Sequence, residues 1–209
     1  MTNAELDDLE AALRRGADVD VEAPADTATR AAISAADREG LVDVAVGTVE
    51  SPVGDLFVAV TARGLVRLAF DPEQLRLLDD LAARISPRVL EATSLVDPVR
   101  RELDEYFAGR RRRFDLEVDL SLTSGWGRRV LEATARIPAG QVATYGALAA
   151  QLRKPGAARA VGNAVATNPV AIVVPCHRVV PAGGGVGKYG GGPERKTFLL
   201  DLEHADTTS

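Results

Sequence analysis

Between Val42 and Phe70 the chain alternates three short β-rich runs with two tight breakers. The runs are VDVAVGTVE, GDLFVAVT and GLVRLAF, separated by Ser51-Pro52-Val53-Gly54 and Ala62-Arg63-Gly64. Branched and aromatic side chains favour extended backbone, and breakers this short let a strand do little but turn back beside its predecessor. The expectation is a three-stranded antiparallel meander. Leu75, Leu78 and Leu81 then recur at steps of three, which predicts a helix over 72–84. Asp97-Pro98 has the form of an N-cap and first turn, so a second helix is expected from there to Phe107. GRRRRFDLEVDLSL reads as a solvated basic turn, Arg110 to Arg113, followed by an alternating strand.

Past residue 120 the signals are helical. Ser124 to Ile137 reads as a helix capped by Ser124. Thr144 caps a short helix from Tyr145 to Leu152, Lys154-Pro155-Gly156 breaks it, and Ala157 to Thr167 forms another that Asn168-Pro169 stops. Ahead of Val42 lies a different kind of chain. Leu6, Leu9 and Leu13 sit at helical spacing within 4–15, and residues 16–40 read mostly as loop with a weak helix near 27–38. The expected class is α/β (α+β) in three parts. These are an acidic leader 1–41, an N-terminal α/β domain 42–122 with the sheet, and a mostly helical domain 123–209 with a helix-turn-helix.

One cysteine in 209 residues excludes an internal disulfide framework. No apolar run approaches the roughly 20 residues of a membrane span, and MTNAELDDLE lacks the basic start of a secretion signal. A cytoplasmic protein without membrane partners is expected. Its net charge of −5 is unevenly spread. Residues 1–120 hold 15 basic and 25 acidic side chains, net −10, whereas 121–209 hold 10 and 5, net +5. The leader 1–41 alone carries 10 acidic and 4 basic groups, net −6. A basic half beside an acidic one fits either a footprint for a polyanion or chance asymmetry of solvated surface.

The two short helices after Thr144 have helix-turn-helix spacing, which an ordinary helical hairpin shares. AARAVGNAVAT is built from Ala, Gly and Val around one long cation, Arg159. No row of Asn, Gln and Arg is there to read bases in a major groove. If this helix meets DNA, the expected mode is close backbone approach at a minor groove, with Arg159 reaching into the base stack. Downstream, Val173-Val174-Pro175 reads as a strand end that delivers Cys176, followed directly by His177 and Arg178. A lone cysteine is commonly a packed core residue. Here an irregular segment, neighbouring positive charge and a candidate orienter, Glu203 at the end of the 193–203 helix, point to a reactive thiolate instead. Adjacent residues usually point apart, so His177 would act through a bridging water. A Cys–His hydrolase and a DNA-binding regulator with an inert thiol are the competing classes.

PCHRV, the AARAVG…NPV helix before it and the GxYxGGxxRKxxLL segment after it resemble the O6-alkylguanine-DNA alkyltransferases, the methylated-DNA–protein-cysteine methyltransferases. The resemblance covers about 42–204 and is strongest over 126–203. It implies irreversible, single-turnover transfer of an alkyl group from guanine O6, or thymine O4, in duplex DNA to Cys176, with the nucleotide flipped from the minor-groove side. His177 and Glu203 would complete a water-linked relay, Asn168 would be a hinge, and Tyr145 a phenol near guanine N3. Arg159 would be the intercalating finger, with Ala158, Ala160, Gly162, Thr144 and Tyr145 also at the DNA. Val179, Tyr189, Gly187, Gly190, Lys196 and Pro175 would form the alkylguanine pocket, the carbonyls of Cys176 and Val179 accepting from the guanine amino group. The family implies no cofactor and a monomer in solution. Gly190 stands where some members carry a serine, and Trp126 where phenylalanine is usual. The structural zinc of some members has no ligand set in a chain with one Cys and two His, so no metal is expected. A related group carries tryptophan in place of the cysteine and only binds lesions, which Cys176 excludes.

Overall fold

The structure, a computed structural model, describes residues 39–70 and 74–204 together with positions 31, 33, 35 and 36. The helix expected over 4–15 and the loop after it lie outside the described residues. The described residues divide between Leu41 and Val42 into two units. In the first, Ala31, Ile33, Ala35 and Ala36 are helical. That helix closes at Gly40, whose φ of 66° lets Leu41 N–H return to the Ala36 carbonyl at 2.8 Å.

The second unit opens with the three anticipated strands: β1 (Val44–Val49), β2 (Leu56–Thr61) and β3 (Gly64–Phe70). They pair antiparallel in registers such as Val46↔Ala59 and Phe57↔Ala69. A helix, α1 (Gln74–Arg84), leads to a fourth strand that the sequence did not announce, β4 (Val89–Glu91). It joins β1 in parallel, giving the order β3-β2-β1-β4 among the described residues. Three residues are too few for an alternating signal, and only the α1 crossover makes the parallel pairing reachable. The period of three in α1 also misleads. Leu81 is fully buried and Leu77 and Leu78 pack beside it, while Leu75 is 79% exposed.

The next helix, α2 (Thr93–Phe107), begins one turn before the expected start. Asp97 is therefore not its N-cap, and Pro98 lies inside it. An interior proline forfeits a helical hydrogen bond. Burial of Val96 and Val99 on either side of it offsets that loss. The expected strand after Arg113 is an extended segment joined to β3 by one parallel bridge, Leu65↔Val118. Leu65 N–H donates to Glu117 O at 2.8 Å and Asp119 N–H to Leu65 O at 2.9 Å. The close approach needs Gly64, because a Cβ there would collide with the Glu117 carbonyl.

Three helices follow: α3 (Gly125–Thr134), α4 (Tyr145–Gln151) and α5 (Ala158–Ala166). Ser124 occupies the cap position of α3 without making a capping hydrogen bond, and α3 stops three residues short of Ile137. Thr144 does cap α4, accepting from Ala147 N–H at 3.0 Å. Two-residue strands β5 (Ala143–Thr144) and β6 (Val179–Val180) pair in parallel, tying the start of α4 to the segment beyond Cys176. The last helix, α6 (Pro193–Leu202), places Leu199 in the main core. That core is continuous from Leu56, Val58 and Leu65 through Leu103 and Tyr106 to Leu131, Val170, Ile172 and Leu199. The other sheet face, with Val46, Phe57 and Val66, is covered by Leu81 of α1.

Candidate active site at Cys176

Asn168 organises the approach to the thiol. Its Oδ1 accepts from Val170 N–H at 3.1 Å, while its Nδ2 donates to Val174 O at 2.8 Å and reaches Cys176 Sγ at 3.1 Å. Leu68 of β3 clamps the same loop, donating to Pro169 O and accepting from Ala171 N–H. Residues 171–174 thus form a turn and not the expected strand end. The turn holds fully buried Ile172 at φ 67°, where a β-branched residue costs about 1–3 kcal/mol. Cys176 opens a 3₁₀ turn, Cys176–Arg178, with all three side chains buried.

Behind the thiol, His177 is 0% exposed and its Nε2 lies 3.0 Å from Glu203 Oε1. An ionised carboxylate accepts, so Nε2 carries the proton and Nδ1 is left bare, buried and without a partner among the described residues. Tyr106 Oη of α2 also donates to Glu203 Oε1, at 2.7 Å. Arg178 grips both oxygens, Nη2 to Oε1 at 2.7 Å and Nε to Oε2 at 2.8 Å. Burial opposes ionisation of Glu203, yet the hydrogen bonds from His177 and Arg178 outweigh it and hold the carboxyl well below its usual range. Burial likewise pushes the His177 imidazole down, against the pull of Glu203.

The thiol itself differs from expectation. Burial pushes it up, opposed by the Asn168 amide and by the charge of Lys196. Arg178 does not serve the sulfur; it is spent on Glu203 and on the Ile137 carbonyl. Lys196 is 0% exposed, and its Nζ donates to Val179 O at 2.8 Å. The carbonyl expected to receive a base therefore already holds an ammonium. Burial lowers Lys196 to about 8, with only the Cys176 charge working the other way. The unfolded chain keeps its proton to about 10.5, so this cost is present in full below pH 8 and relieved between 8 and 10.5. Lys196→Met removes the buried charge but also the donor to Val179 O, so the expected signature is in the pH dependence: the parent's gain in stability between pH 8 and 10.5 shrinks in the variant, and alkylation of Cys176 by iodoacetamide slows. Urea unfolding across that range and the pH dependence of the iodoacetamide rate check this. An unchanged pH dependence with an unchanged thiol would contradict it.

In front of the thiol lies a cavity of about 620 Å³. Of the sequence-selected residues, Cys176, Tyr145, Arg159, Ala158, Gly162, Tyr189 and Gly190 line it. Ala160, Thr144, Pro175, Val179, Gly187 and Lys196 do not, while Asn163, Val165, Ala166, Pro181 and Lys188 do without having been selected. Arg159 is exposed at this cavity and makes no ion pair among the described residues. Tyr189 rests edge-on against Phe70 of β3, centroids 5.7 Å apart, and its buried hydroxyl lies beside the Cys176 thiol. A Cβ at Gly191 would strike the same Phe70 ring, so the glycine loop is seated on the sheet.

Residues 126–205 match the family model described as 6-O-methylguanine DNA methyltransferase, DNA binding domain, and 44–120 its ribonuclease-like domain. The chain is 40% identical over 161 residues to the methylated-DNA–protein-cysteine methyltransferase of Mycobacterium tuberculosis H37Rv, covering 75% of this chain and 90% of the relative. The inducible Bacillus subtilis protein of that name is 37% identical over 151 residues, covering 71% and 84%. Among solved structures, the chain resembles Mycobacterium tuberculosis OGT in complex with DNA at a TM-score of 0.66 and 38% identity, covering 77% and 92%. It also resembles the O6-methylguanine-DNA methyltransferase of Pyrococcus kodakaraensis KOD1, at 0.54 and 30%, covering 77% and 98%.

Proposed function

This chain belongs to the methylated-DNA–protein-cysteine methyltransferase family, and from that premise we propose that it repairs DNA by moving an alkyl group from guanine O6 to Cys176. The observation that carries the reading is a sole cysteine at the wall of a cavity of about 620 Å³, backed by the buried His177–Glu203 pair. A thiolate cannot reach O6 inside a stacked duplex, so the nucleotide is extruded at a cost of a few kcal/mol, less for a damaged pair. Arg159 on the small-residue surface of α5 fills the gap.

In the cavity the Cys176 thiol gives its proton to His177 Nδ1 through a bridging water, and Glu203 supports the resulting imidazolium. Sulfur attacks the alkyl carbon in line, the C–O bond breaks, and the electron pair stays on the guanine, which then takes a proton. Tyr145 steadies the departing base at N3. Asn168 holds the sulfur's turn, and Lys196 favours the thiolate. The product is a thioether, and no group here reverses it, so each molecule acts once. Residues 42–122 serve as the supporting domain and 123–209 as the DNA-binding, acceptor domain. The protein works as a monomer in the cytoplasm, where an unpaired thiol stays reduced.

Incubation with a labelled O6-methylguanine oligonucleotide tests this. One label per protein, mapped to the Cys176 peptide, is expected; multiple turnovers would point to hydrolysis instead. Arg159→Ala is expected to slow repair of duplex DNA by about tenfold while changing attack on free O6-benzylguanine by less than about twofold, since only the duplex needs its gap filled. Equal slowing of both reactions would remove the finger role.

A further inference from the structure

A second groove, of about 690 Å³, lies between the extended 112–118 segment and the 135–139 turn and shares no lining residue with the Cys176 cavity. Its walls are apolar, chiefly Phe114, Leu116, Val118 and Ile137. Arginines 112, 113, 136 and 178 also line it, and no carboxylate does, in a chain of net charge −5. The basic turn was expected to be simply solvated. Arg111 instead faces Glu102, Glu105 and Asp115, whereas exposed Arg113 and Arg136 have no ion pair among the described residues.

The backbone of the wall is half used. Glu117 O and Asp119 N–H are spent on Leu65 of β3. In extended chain the intervening residues turn their N–H and C=O to the other side, and those of Leu116 and Val118 have no backbone partner among the described residues. An open strand edge over an apolar floor with a cationic rim is the geometry that accepts an added peptide strand. Asp115 and Glu117 alternate with the groove-facing residues, so incoming carboxylates fit on the groove side alone.

We propose that this groove docks an extended acidic peptide of a partner protein, an apolar side chain on the Phe114–Leu116–Val118 floor and carboxylates on Arg113 and Arg136. A nucleic-acid backbone, with no apolar side chains to offer, would leave the Phe114–Leu116–Val118 floor unsatisfied.

The probe is a fluorescein-labelled peptide in which Asp, Phe and Asp alternate with Ser, titrated with the full chain and followed by anisotropy. Arg113→Glu/Arg136→Glu is expected to weaken binding about tenfold or more, as is Lys for Asp in the peptide. A charge-matched control, Arg101→Glu/Arg110→Glu, should shift binding by less than about twofold, and alkyl transfer should be unchanged in both. Equal effects of the two variants, or no binding by the parent, overturn the proposal. So does loss of undamaged-duplex binding in its place, which would make the groove a DNA surface. Sedimentation of the parent as a dimer that the groove variant dissociates would assign the groove to a second copy.

Discussion

Protein carrying Cys176→Ala binds an O6-methylguanine duplex within about threefold of the parent and transfers no alkyl group at all. The two halves of that expectation rest on different atoms. Binding is proposed to rest on Arg159, Tyr145 and the small residues of α5, none of which touches the sulfur through a hydrogen bond. Asn168 loses its contact with Sγ in this variant but keeps Val174 O and Val170 N–H, so the turn survives. Transfer depends on a nucleophile, and the chain offers no second thiol. Anisotropy with a lesion duplex and gel detection of labelled protein read the two separately. Label on the alanine protein would take Cys176 out of the acceptor role.

Glu203→Gln is the more damaging change to the fold. Three donors converge on Oε1: Tyr106 Oη, His177 Nε2 and Arg178 Nη2. A glutamine has one acceptor oxygen and an NH₂ that would face a donor. Arg178, buried beside it, would lose its counter-charge, which costs about 3–5 kcal/mol. Without the carboxylate the imidazolium is unsupported, and transfer is expected to slow about a hundredfold.

The pH dependence has a definite sign. Glu203 titrates well below its ordinary 4.5 in the folded protein, so its contribution is complete above that value and is lost as pH falls below it. His177 is depressed from 6.5, so the unfolded chain takes that proton first, and acid below 6.5 destabilises both proteins. Urea unfolding from pH 3 to pH 7 should therefore show a steeper loss of stability below about 4.5 in the parent than in the glutamine variant, which keeps only the slope from its other groups. A variant that unfolds and reacts like the parent would show that Glu203 orients nothing.

Much of this site could be read in the chain because its residues cluster in one stretch. Asn168, Cys176, His177 and Tyr189 fall within 22 residues, and local breakers mark the turns between them. Glu203 was visible as the end of a patterned helix. Tyr106 was not: it sits 97 residues before its partner and looks like any buried helical tyrosine, three positions after Leu103. The use of Lys196 was equally hidden. It shares a helical face with Leu199, Leu200 and Glu203, and a lysine in that pattern reads as solvated until burial is known. In the fold, the long meander runs declared themselves. The three-residue β4 did not, being too short to alternate and placed only by its pairing with β1; nor did the start of α2, where packing of Val96 and Val99 overrides the local proline signal.

The convergence on Glu203 has a consequence for how the molecule comes apart. One oxygen is held by a helix from the early part of the chain, by the thiol-bearing turn and, at the carboxylate's own root, by the end of α6. Loosening any one of these weakens an acceptor that the other two share, so opening at the thiol-bearing turn is coupled to the early helix and to the end of the last one. A molecule waiting for its single lesion thereby keeps its sulfur's support tied to the packing of the whole core.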